Sequence, residues 1–291
     1  MRLVLVNGEP KAPEDAFVSV YDRGFLYGDG VFETIRTYGG KPFALDEHVQ
    51  RLARSASRVL IDLPLPPEAI AKEIERAVEL AQNPESSIRV MLTRGTGPLG
   101  LDPDLARNPS RFVFVEPLKM PPAEAYREGI KVVLVRTSRA TDATAAAGAK
   151  VANYLTSLLA LREAKQAQAA EALIVDANGF VIEGATSNVF VVKKGELFTP
   201  PESAGILPGI TRAHLLEVAK TLSIPVHFEE LPEAAIFDAD EVFISSSIRE
   251  VLPVVRANER TIGDGKPGTV TRKLHSAFRR AVGAPGPDPW A

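Results

Sequence analysis

The chain has 291 residues, enough for two moderate domains with their own cores. Its composition, 45% hydrophobic and 24% charged, is typical of a globular protein. The formal net charge of -3 comes from interspersed acids and bases, which argues against a nucleic-acid partner, and the absence of cysteine excludes disulfides, thiolate metal sites and cysteine nucleophiles.

The first third of the sequence predicts strands and hairpins followed by two helices. Apolar runs that end at the turn pairs Asn7-Gly8 and Gly39-Gly40 indicate hairpins. Asp46 is expected to cap a helix with an apolar stripe. The predicted strands are 3–6, 17–20, 31–38, 42–45, 87–93 and 112–115, the predicted helices are 47–60 and 67–82, and the stripe contains Val49, Leu52, Ala56, Val59 and Leu60.

Three prolines within six residues mark a boundary after this region: Pro117, Pro121 and Pro122. Because proline fixes φ and lacks an N–H group, neither a helix nor a central strand can continue through them. We therefore expect a small α/β domain over 1–117, a linker over 118–125 and a larger domain over 126–291. In the larger domain the predicted strands are 131–136, 172–176, 180–184, 188–192, 225–228 and 240–244, and the predicted helices are 153–170, 211–222 and 270–282.

Several classes of partner are not expected. The four histidines (His48, His214, His227 and His275) are far apart in sequence and have no ligand-like spacing, so we predict no metal site. No apolar run approaches the roughly 20 residues that span a bilayer, and the apolar start before Asn7 is too short for a signal peptide. We therefore expect a cytoplasmic enzyme without a membrane partner.

Lys150 differs in its surroundings from most lysines of the chain. It follows the small residues of 145–149, and no acid lies within seven residues on either side. An ammonium in this setting either sits at a solvated bend, the more common case, or is desolvated. Desolvation would lower its pKa toward the neutral amine that attacks an aldehyde.

Glu183 ends an apolar strand that follows the turn over 176–179. If its carboxylate is buried it needs a cationic partner, and a protonated pyridine nitrogen would serve. The alternative is a carboxylate at the strand end that faces water.

Two segments have the features of phosphate-binding loops. Over 207–212 a glycine turn opens directly into a helix, so that free N–H groups and the positive helix end would face one anion. Over 243–248 a strand runs into three serines. A plain helix cap and a serine-rich turn are the alternatives. Together with a lysine and an acid, the two segments are explained more simply by one cofactor site than by four coincidences.

In this order, the motifs resemble those of class IV (fold-type IV) pyridoxal-phosphate enzymes: branched-chain aminotransferases, D-amino-acid aminotransferases and aminodeoxychorismate lyases. The resemblance covers about 6–278 and rests on 22–25, 28–33, 47–52, 149–155, 183–188, 207–212 and 245–253. It implies an α/β (α+β) fold with a smaller α/β domain and a larger pseudo-barrel domain with flanking helices. It also implies a homodimer or higher oligomer in which partner loops line the pocket.

Residue by residue, the resemblance implies that Lys150 forms a Schiff base with pyridoxal 5'-phosphate and moves the substrate proton, while Glu183 pairs with the pyridine nitrogen. The remaining cofactor contacts, chiefly to the phosphate, would be made by Arg51, Tyr154, Leu207, Gly209, Ile210, Thr211, Ser246 and Ser247. Without the resemblance, Arg51 would be interpreted as a solvated or ion-paired arginine and Tyr154 as a core residue.

The subclass depends on how the substrate carboxylate is held. Phe32, Leu99 and Leu101 stand where D-amino-acid aminotransferases have a tyrosine, an arginine and a histidine, and the threonine pair usual in the lyases is replaced by 32–34. Branched-chain enzymes are matched better, and the resemblance then implies substrate contacts from Tyr27, Phe32, Arg36, Arg89 and Ile248. The segments 184–188 and 245–249 depart from the branched-chain pattern, and Ile248 and Arg249 put the pocket size in doubt.

The sequence thus predicts a ping-pong transaminase that moves an amino group from a branched-chain or other hydrophobic L-amino acid to a 2-oxo acid. The first alternative is a D-amino-acid or (R)-amine transaminase of the same fold. The second alternative is an aminodeoxychorismate lyase. A binding protein that keeps only the fold would show no visible cofactor absorbance.

Overall fold

The computed structural model describes residues 1–137, 146, 148–286 and 288–290. The chain divides into two compact units: unit 1 is Met1–Lys119 with Thr144–Tyr154, and unit 2 is Met120–Ala143 with Leu155–Ala291. None of the helices in these ranges combines the length and apolarity that a bilayer crossing requires.

Unit 1 contains an antiparallel sheet covered by two long helices. Its strands are β1 Leu3–Val6, β2 Glu9–Lys11, β3 Gly30–Tyr38, β4 Lys41–Pro42, β5 Ser86–Thr93 and β6 Ser110–Pro117, in the order β2-β1-β6-β5-β3-β4. Its helices are α1 Arg23–Tyr27, α2 Leu45–Arg58 and α3 Pro67–Ala81, and 3-10 turns occur at Pro13–Asp15 and Pro103–Leu105. The strands present alternate residues to α2 and α3, and this buried face forms the core of the unit.

Unit 2 contains a mixed sheet. Its strands are β7 Ile130–Arg136, β8 Glu171–Val175, β9 Phe180–Gly184, β10 Asn188–Lys193, β11 Glu196–Thr199, β12 Val226–Phe228, β13 Leu231–Pro232, β14 Glu241–Ser246, β15 Glu250–Ala257 and β16 Arg260–Thr261. Its helices are α4 Ala123–Arg127, α5 Leu155–Gln166, α6 Ile210–Thr221, α7 Glu233–Phe237 and α8 Thr269–Ala281, with a 3-10 turn at Glu202–Ala204.

The strand order of this sheet is β12-β11-β10-β14-β15-β7-β8-β9-β13, with β16 beside β15. The pairs β11–β12, β15–β7 and β7–β8 are parallel and the others antiparallel. Both faces are covered, since Val132 of β7 packs into one core and its neighbour Val133 packs into a second core under α5. Two-sided burial explains why the central strands read as nearly continuous apolar runs.

Several expectations from the sequence differ from the structure. The predicted strand 17–20 is wrong: no strand partner pairs with it in the described ranges, and Phe17 is 80% exposed. Asp46 does not cap α2, because the cap is Ala44 in a left-handed conformation (φ 49°) and Asp46 lies in the first turn. Leu60 lies beyond the end of α2, and α5 is shorter than the predicted 153–170.

The predicted division of the chain at 118–125 stays a prediction. The segment around Lys150 groups with unit 1. The reason is backbone pairing: Phe32 N–H donates to the Lys150 carbonyl (2.9 Å) and Ala152 N–H donates to the Gly30 carbonyl (2.8 Å).

Candidate active site

Lys150 lies beside the start of β3, with which its backbone pairs. In addition to the pairing with Phe32, the Lys150 N–H donates to the Ser55 hydroxyl on α2 (3.1 Å). The backbone of Lys150 is therefore held from two elements of unit 1. Because the backbone is fixed on both sides, the side chain leaves the main chain in a defined direction.

Lys150 is intermediate in exposure, and its amine lies beside an aromatic ring. Its Nζ lies 4.6 Å from the centre of the Phe32 ring. The Arg89 guanidinium lies 4.0 Å from the same ring centre, and Tyr154 meets Phe32 edge-on at 5.0 Å. Four of the predicted site residues are thus brought together, with two cations placed against one π system.

Arg89 has an unusual environment for an arginine. Burial lowers the pKa of its guanidinium, with Tyr154 acting in the opposite direction. Among the residues that the structure describes, no carboxylate lies within ion-pair distance of Arg89. A partly buried guanidinium without an acid is suited to an anionic ligand, because desolvated charge requires compensation.

Arg51 forms a buried ion pair with Glu33. Its Nε and Nη2 donate to the two Glu33 carboxylate oxygens, each at 2.7 Å, and His48 Nδ1 lies 2.7 Å from the same carboxylate. Burial would raise the pKa of Glu33, but the charge and hydrogen bonds of Arg51, together with His48, outweigh it and lower the pKa to about 2. The geometry shows the ion-paired role of Arg51, and its phosphate role stays a prediction.

The pKa of His48 is also affected by Lys150. Burial lowers the pKa of His48, Glu33 opposes this shift, and the charges of Arg51 and Lys150 add to it. The amine of Lys150 is therefore near enough to repel a proton on His48.

The other predicted substrate residues of unit 1 have structural contacts. Arg36 is buried and stacks on Tyr38 at 4.1 Å; it lies on the same face of β3 as Phe32, four residues away. The Tyr27 hydroxyl accepts from Gly100 N–H (3.1 Å). Leu99 and Leu101 are 68% and 81% exposed, so they are not buried packing residues.

Glu183 is buried at the end of β9, so the interpretation as a water-facing acid is wrong. One carboxylate oxygen accepts from Leu207 N–H (2.9 Å), and the Leu207 carbonyl accepts from the Asn188 amide (2.9 Å). These contacts tie the predicted pyridine-binding acid to the segment that precedes α6, and they orient one oxygen of the carboxylate.

The start of α6 has the features of an anion site. Ile210, Thr211 and Arg212 are buried, and no side chain caps the helix. The first N–H groups of a helix have no acceptor within it. A Cβ on Gly209 would lie 2.0 Å from Asn188 Oδ1, so the glycine allows the close approach of β10 to the helix start.

The predicted serines lie where β14 turns into β15: Ser246 ends β14 and Ser247 follows it. Residues 246–249 are here called the serine loop. Ser246 Oγ accepts from Arg249 N–H (3.3 Å), and Ser246 pairs with Glu250 across the hairpin. Ser245, just before it, has a buried hydroxyl with no hydrogen-bond partner in the described part of the chain. An orphaned buried hydroxyl is costly unless a ligand or water satisfies it.

Arg249, the last residue of the serine loop, has its side chain held by two partners. Its Nη1 donates to Glu171 (2.6 Å) and approaches the Thr186 hydroxyl (2.8 Å). Glu171 is fully buried at the start of β8. Sequence reasoning missed Glu171, and the available signal was an acid at the head of an otherwise apolar strand.

The residues present fit a phosphorylated pyridine aldehyde. Unit 1, taken by itself, has a primary amine beside an aromatic ring. Unit 2, taken by itself, has a buried carboxylate, a helix start without a side-chain cap, and a buried hydroxyl with no hydrogen-bond partner in the described part of the chain. These are the donor types that such a molecule requires for its aldehyde, ring nitrogen and phosphate.

Comparison with known proteins identifies the family. The model of the family described as amino-transferase class IV matches residues 30–257. One relative is a protein from Methanocaldococcus jannaschii that is named provisionally as a branched-chain-amino-acid aminotransferase. It is 39% identical over 276 residues, and the alignment covers 95% of each chain. A D-alanine aminotransferase from Bacillus licheniformis is 31% identical, with 96% of each chain covered.

Solved structures give the same result for the fold. The branched-chain amino acid aminotransferase from Escherichia coli superimposes with a TM-score of 0.87 at 32% identity, covering 95% of this chain and 92% of that one. The predicted α/β fold of type IV is thereby confirmed. The chain therefore belongs to the class IV aminotransferase family, whose members use pyridoxal 5'-phosphate as cofactor.

Proposed function

We propose that this aminotransferase moves the amino group of branched-chain or other hydrophobic L-amino acids to a 2-oxo acid, with Lys150 as its catalytic amine. One observation carries the proposal: the Lys150 amine and the Arg89 guanidinium share the Phe32 ring, at 4.6 and 4.0 Å from its centre. In this proposal the amine is the nucleophile and the guanidinium binds the substrate carboxylate, both beside one buried aromatic ring.

Pyridoxal phosphate supplies an aldehyde that an amine can capture and a ring that withdraws electrons from the adjacent carbon. Lys150 would hold the cofactor through its aldehyde and would serve as the base for the proton on the substrate Cα. Glu183 holds the proton on the pyridine nitrogen, oriented by Leu207 N–H. The start of α6 and the serine loop bind the phosphate, with Arg51 and Tyr154 as further contacts.

The substrate preference follows from the cluster at Lys150. Arg89 binds the substrate carboxylate, because its guanidinium is partly buried and has no acid among the described residues. Phe32 supplies an apolar contact for the side chain. Tyr27, Arg36 and Ile248 complete the proposed substrate set.

A D-amino-acid preference is the second candidate, favoured by the D-alanine aminotransferase relatives. Against it, the chain has Phe32, Leu99 and Leu101 at the positions where those enzymes are expected to hold the carboxylate with polar groups.

The test is a set of half-reactions in the absence of a 2-oxo acid, with L-leucine, D-alanine and L-glutamate as donors. Conversion of the cofactor to its aminated form is followed by absorbance. We expect L-leucine to convert it fast and D-alanine slowly, and the opposite order would overturn the substrate assignment.

Lys150→Ala tests the catalytic amine, with Lys165→Ala on the exposed face of α5 as the matched control. Borohydride reduction followed by peptide mapping should locate the cofactor on Lys150 in the wild type and the control only. Cofactor attached to another lysine, or full turnover by Lys150→Ala, would contradict the assignment.

We also propose that the chain forms homodimers through an apolar surface of unit 1. Phe17, Val20, Tyr21, Phe25, Leu99 and Leu101 are each more than half exposed. The two segments that carry them are joined, since Arg23 donates to the Gly100 carbonyl (2.7 Å) and Gly97 N–H to the Tyr21 carbonyl (3.2 Å). Exposed apolar surface of this kind is typical of subunit interfaces.

Sedimentation measurements test this association. Phe25→Glu should shift the population to monomers, and Leu80→Glu on α3 is the control. A monomeric wild type would exclude the interface. The cytoplasmic location stays a prediction that cell fractionation would test.

A further inference from the structure

A buried polar cluster of unit 2 lies directly behind the serine loop. His275 and Glu250 are both fully buried, and His275 Nε2 lies 2.8 Å from the Glu250 carboxylate. Arg279 Nη1 donates to the same carboxylate (2.9 Å). The Trp290 indole N–H donates to His275 Nδ1 (2.9 Å). None of these residues was assigned a role by the sequence.

The indole determines which histidine nitrogen carries the hydrogen. Trp290 Nε1 is a donor only, so His275 Nδ1 must accept, and Nε2 is then the nitrogen that donates to Glu250. The network therefore assigns one tautomer to His275 and a direction to each hydrogen bond, from the indole through the imidazole to the carboxylate. Loss of the indole N–H would remove one of the two hydrogen bonds that hold the imidazole against Glu250.

Two contacts connect this cluster to the serine loop. Glu250 follows the loop directly and has φ 57°, a left-handed conformation that residues with a Cβ disfavour. The Tyr126 ring stacks on His275 at 5.3 Å, and its hydroxyl donates to the Arg249 carbonyl (3.1 Å). Glu250 and Tyr126 thus both hold the Arg249–Glu250 peptide, and both contact His275.

We propose that Trp290 and His275 are positioning residues for the serine loop: by holding Glu250 in its left-handed conformation they keep the loop in the form that binds the cofactor phosphate. The inference rests on the proposed function for that loop. A loop held in its binding conformation loses less conformational freedom on binding, so the hold increases affinity for the phosphate. Neither residue is proposed to contact the cofactor.

Trp290→Phe is the main variant, since it keeps an aromatic ring and removes only the N–H donor. Removing one such hydrogen bond should weaken pyridoxal phosphate binding to the apoenzyme by about fivefold. Hydrogen exchange of the amides at 247–250 should be faster in the variant, with or without cofactor. His275→Phe, which removes both histidine hydrogen bonds, should have the larger effect in both measurements.

Leu274→Ala is the matched control, because Leu274 neighbours His275 on α8 and is fully buried without a polar contact in the cluster. It should lower the melting temperature while leaving the cofactor dissociation constant and the exchange of 247–250 unchanged. The opposite result is that Leu274→Ala also weakens cofactor binding, and that both variants lose affinity in proportion to their loss of stability. The cluster would then be merely structural, and the proposal would be overturned.

Wild-type affinity and unchanged exchange in Trp290→Phe would overturn it as well. A wild type that binds no pyridoxal phosphate would instead contradict the proposed function of the loop. The exchange rates at 247–250 would still test whether Trp290 holds it.

Discussion

Glu33→Gln removes the charge from a carboxylate that is 1% exposed and bound to Arg51 and His48. The pKa of Glu33 falls from 4.5 to about 2, so the fold favours the charged form by about 3 kcal/mol. The variant also leaves the Arg51 guanidinium buried without its counter-ion. We expect the free energy of unfolding to fall by about 3–5 kcal/mol, the range found when one partner of a buried pair is removed.

Urea unfolding followed by circular dichroism measures this loss, and Glu116→Gln is the control. Glu116 pairs with Arg2 but is 48% exposed, so its loss should cost no more than about 1 kcal/mol.

The pH dependence gives a second measurement on the same variant. Between pH about 2 and 4.5 the unfolded Glu33 binds more protons than the folded one, so the stability it contributes rises with pH. This contribution is complete above the unfolded pKa and is lost as the pH falls toward 2. The difference between wild type and Glu33→Gln should therefore narrow with acidification. A loss equal to that of Glu116→Gln, or a difference that stays constant over this range, would refute the reasoning.

Three further changes have defined outcomes. Arg249→Met removes the cation that pairs with the fully buried Glu171 carboxylate. The free energy of unfolding, measured by thermal unfolding, should fall by about 3–5 kcal/mol and recover in part when Glu171→Gln is added. Gly209→Ala places a Cβ 2.0 Å from Asn188 Oδ1, so either the start of α6 or the Asn188 side chain has to move. Because Asn188 also binds the Leu207 carbonyl, either movement disturbs the segment before α6, and titration of the apoenzyme should show weaker cofactor binding; unchanged binding would remove α6 from the phosphate site. Arg89→Met should raise the KM for both substrates about 10- to 100-fold through loss of a charged hydrogen bond, while cofactor affinity stays at the wild-type value; a change confined to cofactor affinity would contradict the substrate role.

The expectations that failed share a cause. The segment 17–20 has the alternating composition of a strand, yet no neighbouring strand pairs with it, and strand formation needs such a partner. Asp46 is a preferred capping residue, but the left-handed backbone of Ala44 places the helix start earlier than the sequence indicates. Local propensity predicts strands and helix ends poorly wherever the surrounding structure determines strand pairing or the backbone conformation at a helix start.

The sequence by itself determined the long helices, most of the central strands and the family, because periodicity, turn residues and short motifs are local properties of the chain. The roles of Lys150 and Glu183 stay predictions. Only the tertiary structure decided which polar groups meet. Arg249 and Glu171 are 78 residues apart in sequence, and His275 and Glu250 are 25 apart. The backbone of Lys150 pairs with β3, which lies more than a hundred residues earlier in the chain. Such partners depend on strand register and helix packing, which bring distant residues into hydrogen-bonding distance and leave no periodic trace in the sequence.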